Sequence, residues 1–352
     1  MSEVFCGPTA FKLHRISPQV IGLCPPLPQP RGDKNRTELR SHPVVSEILG
    51  TPLHRLVFSR NELSNGKLFR DHFWSGECPF GSIWEHELGV SVASPAMTLL
   101  GLASSIPFPQ LLMAVYEMCG GFAVFRPSEA IEEAMRKYWH GSSERLGFWK
   151  RVMSTKGAPT SLWMRPPLLD LDELKRFASE VAGHRGARPL AEAAELMTGP
   201  CESPFEVQTS LLLGLPRRLG GMGLTDIENN KEIRLSSDAR ALCGKSTCRA
   251  DIYLEARGAH RPVDIECPGA VVHDSNESAL SDSRRIAALQ SMGIEVVPVT
   301  FDQISDARSL NAVVSLVAKR SGRKVAPKSE GLLRRELDLR RNVLIDWNAP
   351  VD

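Results

Sequence analysis

Apolar and polar positions follow one another in short bursts along this chain, and the bursts change character near residue 200. Before that point, RLVFS (55–59) and ELGVSVAS (87–94) run over strand length and predict two short strands. SPAMTLLGLASSI (94–106) predicts a helix, with Ser94 as N-cap and Pro95 in its first turn. Met97, Leu100, Leu102 and Ala103 give that helix an apolar face. PFPQLLMAVYEMCGG (107–121) predicts a second helix, stopped by Gly120 and Gly121. Residues 128–200 read as mainly helical, with helices over 170–184 and 189–199. The first 45 residues include CPPLPQPRGDKNR, show neither period, and read as an irregular arm.

Beyond 200, ESPFEVQTSLLLGL (202–215) predicts a helix capped by Ser203 and opened by Pro204. CRADIYLEA (248–256) and RPVDIECPG (261–269) predict strands, SALSDSRRIAALQSMGI (278–294) an amphipathic helix, and EVVPVTFDQI (295–304) a strand running into a turn or short helix. The order helix, strands, helix, strand predicts an α/β core: a mixed sheet flanked by helices, in a chain that is α+β overall. The expected division is an arm (1–45), a mainly helical module with short strands (46–194), the sheet domain (195–312) and a basic C-terminal tail (313–352).

Length and composition add limits. At 352 residues, 42% hydrophobic and 24% charged, the chain is long enough for two domains around a substantial core. No apolar run reaches membrane-spanning length, and the start lacks a basic segment followed by a long apolar one, so neither a membrane nor a secreted setting is expected. Eight cysteines are scattered without a C-x-x-C pair; free thiols in the cytoplasm are expected, with a zinc site at Cys243 and Cys248 as the alternative. Net charge is only +2, but residues 319–342 hold nine Lys and Arg against three acids. Such a run is either a solvated face or an arm for phosphates; Lys319, Arg320, Arg323, Lys324, Arg334 and Arg335 are its candidate contacts.

The carboxylates carry the chemistry. Asp251 sits inside Ala250–Leu254, and Asp264 and Glu266 inside Val263–Cys267. A carboxylate in mid-strand is costly to bury unless paired, protonated or bound to a cation. Two neighbouring strands bring Asp251 and Glu266 together, and Glu206, one turn into its helix, adds a third acid. Converging carboxylates without soft ligands suit Mg²⁺ or Mn²⁺, which activate water and neutralise charge on a phosphodiester. The plainer reading has Asp264 paired with a nearby Arg and Glu206 on a surface salt bridge.

Four segments in order resemble the PD-(D/E)XK nuclease superfamily, in particular bacterial domains related to very-short-patch-repair endonucleases. Ser203-Pro204-Phe205-Glu206 is similar to their S-P-x-E helix, and Arg249-Ala250-Asp251-Ile252 to their R-x-D-F strand. Ile265-Glu266-Cys267-Pro268-Gly269 with His273 is similar to E-x-D-G-x-x-x-H, and Asp282–Gly293 to D-x-R-R-x-x-x-L-x-x-x-G. The resemblance implies a restriction-endonuclease-like fold over 195–312, Asp251 and Glu266 as metal ligands, Glu206 as a supporting acid and His273 near the scissile phosphate. It puts Arg284 and Arg285 on a helix near DNA, Arg285 either pairing with a core acid or touching phosphate. Two departures stand out: Pro268 replaces the superfamily's lysine, or its closer relatives' aspartate, and Pro298 stands where an arginine is common. The stretch from Leu215 to Cys248 reads as a long loop.

Leu88–Ala103 resembles the S-P-x-x-T-L-x-D-L-A helix of abortive-infection antitoxin proteins, with Gly101 in place of the aspartate. Relatives with this module often carry a nuclease-like domain after it; their winged-helix DNA reader is not evident here. The expected activity is a Mg²⁺-dependent DNA endonuclease or nickase in bacterial defence or repair. DNA is the expected partner, a protein partner would use the N-terminal module, and no small-molecule cofactor is expected. The alternative is a catalytically inactive nuclease fold acting as a DNA-binding or toxin-neutralising scaffold.

Overall fold

The computed structural model describes residues 3–28, 33–138, 149–154, 156–268 and 276–347. Its first sheet has the order β3-β2-β1-β5-β4, from strands Val4–Phe5 (β1), Leu53–Val57 (β2), Phe69–Phe73 (β3), Ile83–His86 (β4) and Val90–Ala93 (β5). β1 is central, antiparallel to β2 and parallel to β5. The expected irregular arm is therefore corrected. Val4 and Phe5 are buried, and the helix Gly7–His14 that follows buries Phe11 and Leu13. A two-residue strand is too short to show a period, and the prolines at 25–30 mask the ordered segment before them.

The predicted helix after β5 spans Pro95–Ala103, with Ser94 Oγ accepting from Met97 N at 3.4 Å. It packs on the Gly7–His14 helix. A Cβ at Gly101 would lie 3.1 Å from Gly7 Cα. The aspartate of the similar motif would force the two helices apart, which accounts for the glycine.

The stretch read as mainly helical is interrupted. Phe122–Val124 (β6), Lys150–Met153 (β7) and Pro159–Met164 (β8) form an antiparallel sheet in the order β6-β8-β7. β7 is half exposed along its length, so no apolar alternation marks it. Trp163 anchors β8: its ring is buried and its Nε1 donates to Phe125 O at 3.0 Å.

The third sheet has the order β12-β11-β10-β9, from Ile227–Arg234 (β9), Thr247–Leu254 (β10), Val263–Glu266 (β11) and Glu295–Pro298 (β12). β9 and the helix Ser237–Cys243 occupy the stretch expected to be a loop. β10 pairs antiparallel with β9 and β11, and β11 pairs parallel with β12. Ile252, Leu254, Val263 and Ile265 belong to the main core, whereas Tyr253 packs in a second cluster with Ala288 and Leu289 of the helix Asn276–Ser291. The sheet is mixed and flanked by helices, as predicted.

The C-terminal segment is not a tail. The helix Ala307–Ser321 runs through its start, and the helix Glu330–Val343 packs on the helices Phe108–Cys119 and Pro204–Gly214. Leu339, Val343 and Trp347 lie in the same core as Val4 and Ile252, so one apolar interior joins both expected modules. Charge density hid the apolar i, i+3, i+4 stripe that buries this helix. Among the described residues no helix is long and apolar enough to cross a membrane.

Candidate active site

The β10–β11 register sets Ile252 against Ile265 and Tyr253 against Asp264, which places Asp251 opposite Glu266. Residues directly opposite share a face, so Asp251, Tyr253, Asp264 and Glu266 all lie on one side of the sheet. The two expected metal ligands are thus brought together on paired strands. Asp251 Oδ2 accepts from Cys267 N at 2.8 Å, across the end of β11.

Glu206 comes from the helix Pro204–Gly214 and is 8% exposed. The helix starts where the sequence says it should: Ser203 Oγ accepts from Glu206 N at 3.2 Å. In return Ser203 Oγ–H donates to Glu206 Oε1 at 2.7 Å, and Glu202 N donates to Oε2 at 2.7 Å. Glu206 is thus a buried carboxylate rather than a surface partner. Burial, then repulsion from Asp251, raises its pKa to about 8. Burial, then Glu266, raises that of Asp251 to about 6.

Asp264 is wholly buried, and among the described residues no donor reaches either oxygen. Its pKa is pushed well above the usual range by burial and by the adjacent Glu266. The expected arginine partner for Asp264 is absent among the described residues.

Arg285, from the helix Asn276–Ser291, spans both Glu266 oxygens: Nη1 donates to Oε1, and Nη2 to Oε2 at 2.6 Å. Nη1 also donates to Arg249 O at 3.2 Å. Of the two roles expected for Arg285, the geometry is that of the partner of a core acid. A bidentate guanidinium stands on Glu266, where a ligated cation would otherwise balance the charge. Among the described residues no group of three or more His, Cys, Asp or Glu side chains is disposed to hold a metal ion. The oxygens of Asp251 and Glu266 are hard donors of the type a divalent ion takes, but both Glu266 oxygens are already held by Arg285. Pro268 offers neither side-chain donor nor N–H. His273 and Gly269 lie outside the described residues.

The expected nucleic-acid contacts separate into groups. Arg284, Lys319 and Lys324 are exposed. Arg320 pairs with Glu295 at 3.2 Å, Arg334 with Glu330 at 2.5 Å, and Arg335 Nε donates to Arg217 O at 3.4 Å, all from exposed positions. Arg323 is a correction. It is 8% exposed, its Nε and Nη2 donate to Asp226 at 3.1 and 2.5 Å, and its Nη1 donates to Glu255 O at 2.8 Å. Buried and fully engaged, it ties the segment to the sheet domain and offers nothing to phosphate. Sequence reasoning missed Glu202, which receives Arg249 Nη1 at 2.9 Å and Asn230 Nδ2 at 3.2 Å beside the cluster. Its place before the cap of the Glu206 helix was the available signal.

All eight cysteines are free thiols; burial and nearby acids, among them Glu206 and Asp251, hold Cys201 and Cys267 protonated. Compared with family models, curated proteins and solved structures, the chain matches none.

Proposed function

We propose that the sheet domain is a restriction-endonuclease-like unit of the PD-(D/E)XK kind that hydrolyses phosphodiester bonds in DNA with Mg²⁺ or Mn²⁺. The observation that carries this reading is Asp251 directly opposite Glu266 on paired strands, with Glu206 buried nearby and the proton affinities of Asp251 and Glu206 raised by burial and then by neighbouring acids. Such an acid-rich cluster is stabilised by a bound cation. Asp251 and Glu266 would hold the ion, which supplies charge neutralisation and an activated water. Glu206 is held at the start of its own helix by its bonds to Ser203 and Glu202, beside Asp251. Arg285 keeps a positive charge at the site, and Arg284, Lys319 and Lys324 offer sequence-independent contacts to phosphates.

A second reading rests on one specific observation. Arg285 already neutralises Glu266 through two hydrogen bonds, and Pro268 removes the donor that the superfamily places there. A charge-compensated, lysine-free cluster is what an inactive nuclease fold used for DNA binding or toxin neutralisation would keep.

The test is cleavage of plasmid and single-stranded DNA by wild type and Glu266→Ala, in Mg²⁺, Mn²⁺ and EDTA. Metal-dependent nicking that disappears in the variant is the expected result. Intact DNA binding with no metal-dependent cleavage by wild type would establish the scaffold reading instead.

A further inference from the structure

The Ala307–Ser321 helix ends at Gly322, whose φ of +76° turns the chain against the segment that follows β10. A Cβ there would lie 2.6 Å from Arg257 O, and Arg257 N donates to Ser321 O at 3.1 Å. The connection from Gly322 to the last helix is thereby held beside the sheet. A cleft of about 220 Å³ opens between them, walled in part by Met222, Leu224 and Val325. It lies where β10 ends and β11 begins, Leu254 being opposite Val263, whereas Glu266 closes β11 at the far end. The cleft shares no residue with the carboxylate cluster.

Arg217, Arg257, Arg323, Lys324 and Lys328 line it, and among its described lining residues the single acid is Asp226. That acid is shared: Arg323 Nη2 and Arg257 Nη2 both donate to its Oδ2, at 2.5 and 2.9 Å. Arg323, then Arg257, holds the Asp226 carboxyl down at about 2, so it keeps its charge. Lys328 is spent on Glu336 at 2.6 Å. Glu255 and Glu330, the acids that flank these residues in the chain, face Lys231 at 3.8 Å and Arg334 at 2.5 Å. Arg217 Nη2 meets a neutral acceptor, Pro327 O, at 2.6 Å. Lys324 is exposed and has no hydrogen-bond or ion-pair partner among the described residues. With Glu336 counted against Lys328, the cleft carries three more positive than negative charges. A singly charged anion would leave most of that excess standing. A dianion offsets two of the three charges, and its oxygens take donors from Arg217, Arg257 and Lys324 together.

We propose that this cleft binds a phosphate dianion, free or at the end of a small molecule, held by Arg217, Arg257 and Lys324. The test is calorimetric titration of the full chain with inorganic phosphate, glycerol phosphate and dimethyl phosphate, at about pH 8, where a phosphate monoester carries two charges. EDTA keeps divalent ions off the carboxylate cluster, so this proposal and the nuclease reading fail separately. Saturable binding of a dianion is expected, at least about tenfold tighter than that of the singly charged diester. Glycerol phosphate binding tighter than inorganic phosphate would assign the cleft to a monoester whose carbon stem rests on Met222 and Leu224; equal affinities would assign it to phosphate itself. Arg257→Ala and Lys324→Ala should each weaken the dianion roughly tenfold or more, the scale of a hydrogen bond to a charged group. Both side chains are exposed, so circular dichroism should report an unchanged fold. Lys175→Ala, a cation outside the cleft, should leave the affinity unchanged. The proposal is overturned by the absence of saturable binding of either dianion to wild type, by dimethyl phosphate binding as tightly as they do, or by unchanged affinity in the Arg257→Ala/Lys324→Ala double variant.

Discussion

Trp347 Nε1 donates to Glu117 Oε2 at 2.6 Å, joining positions 230 residues apart in the chain. Glu117 is wholly buried and also accepts from Arg15 Nε at 2.8 Å, Arg15 Nη2 at 2.6 Å and Val124 N at 3.0 Å. One carboxylate thus fastens the first helix, β6 and the C-terminal segment to the centre of the fold. Removing one partner of a buried ion pair costs about 3–5 kcal/mol, because the other charge stays buried without compensation. Glu117→Ala should therefore lower stability on that scale, and Trp347→Phe by about 1.5–3 kcal/mol for the lost hydrogen bond to a charged group. Urea unfolding curves measure both. Equal, near-zero effects would mean that the C-terminal segment is not held in this way.

The Arg285–Glu266 pair supports a second prediction. Arg285 is about a quarter exposed, so Arg285→Ala should cost roughly 2–4 kcal/mol, less than a wholly buried pair. If Asp251 and Glu266 take a divalent ion, Mn²⁺ should recover part of that loss in the variant, since it replaces the missing charge. Thermal melts of the variant in Mn²⁺ and in EDTA decide the matter. Superimposable melts would count against the metal site.

Part of this was legible in the sequence. Ser203-Pro204 and Ser94-Pro95 mark helix starts by local chemistry, and both caps form. Asp251 and Glu266 stand in apolar runs of strand length, and the pairing of those strands aligns them. What was not legible depends on partners far along the chain. β1 is two residues long and is strand only because β2 and β5 flank it. The polar β9 is an edge strand, where alternation is weak. Arg323 looks in sequence like its exposed neighbours; only Asp226, from the turn before β9, distinguishes it.

The raised acids predict a pH dependence of definite sign. Asp251 and Glu206 bind protons more tightly in the folded chain than in the unfolded one, with folded values of about 6 and about 8. Over the window between the ordinary carboxylate range and those values, the native state holds more protons. Their contribution to stability is complete below the ordinary range and is lost as pH rises through about 6 and then about 8. Asp251→Asn and Glu206→Gln should each flatten this decline. Metal affinity should run the opposite way, rising with pH as the carboxyls lose protons. Stability that climbs steadily from pH 5 to 8 in wild type, with no flattening in the variants, would contradict this account.

The last prediction separates cations that face solvent from the one that does not. Arg284, Lys319 and Lys324 are exposed, whereas Arg323 is buried on Asp226. If the exposed three contact phosphates, each contributes about 0.9 to the slope of log affinity against log salt on duplex DNA. The triple Ala variant should then bind duplex DNA more weakly, with a slope reduced by about 2–3 and no change in sequence preference. Arg323→Ala should leave that slope unchanged and act on stability instead. It removes the main group that holds Asp226 down at about 2, with Arg257 as the lesser partner. That depressed carboxyl stabilises the fold above the ordinary carboxylate range and loses its contribution as pH falls towards 2. The variant should therefore be less stable at neutral pH and lose less of its stability on acidification. Filter-binding titrations across a salt series, beside denaturation at neutral and acid pH, test both halves. A salt slope that falls in Arg323→Ala and not in the triple variant would reverse the assignment of the two groups.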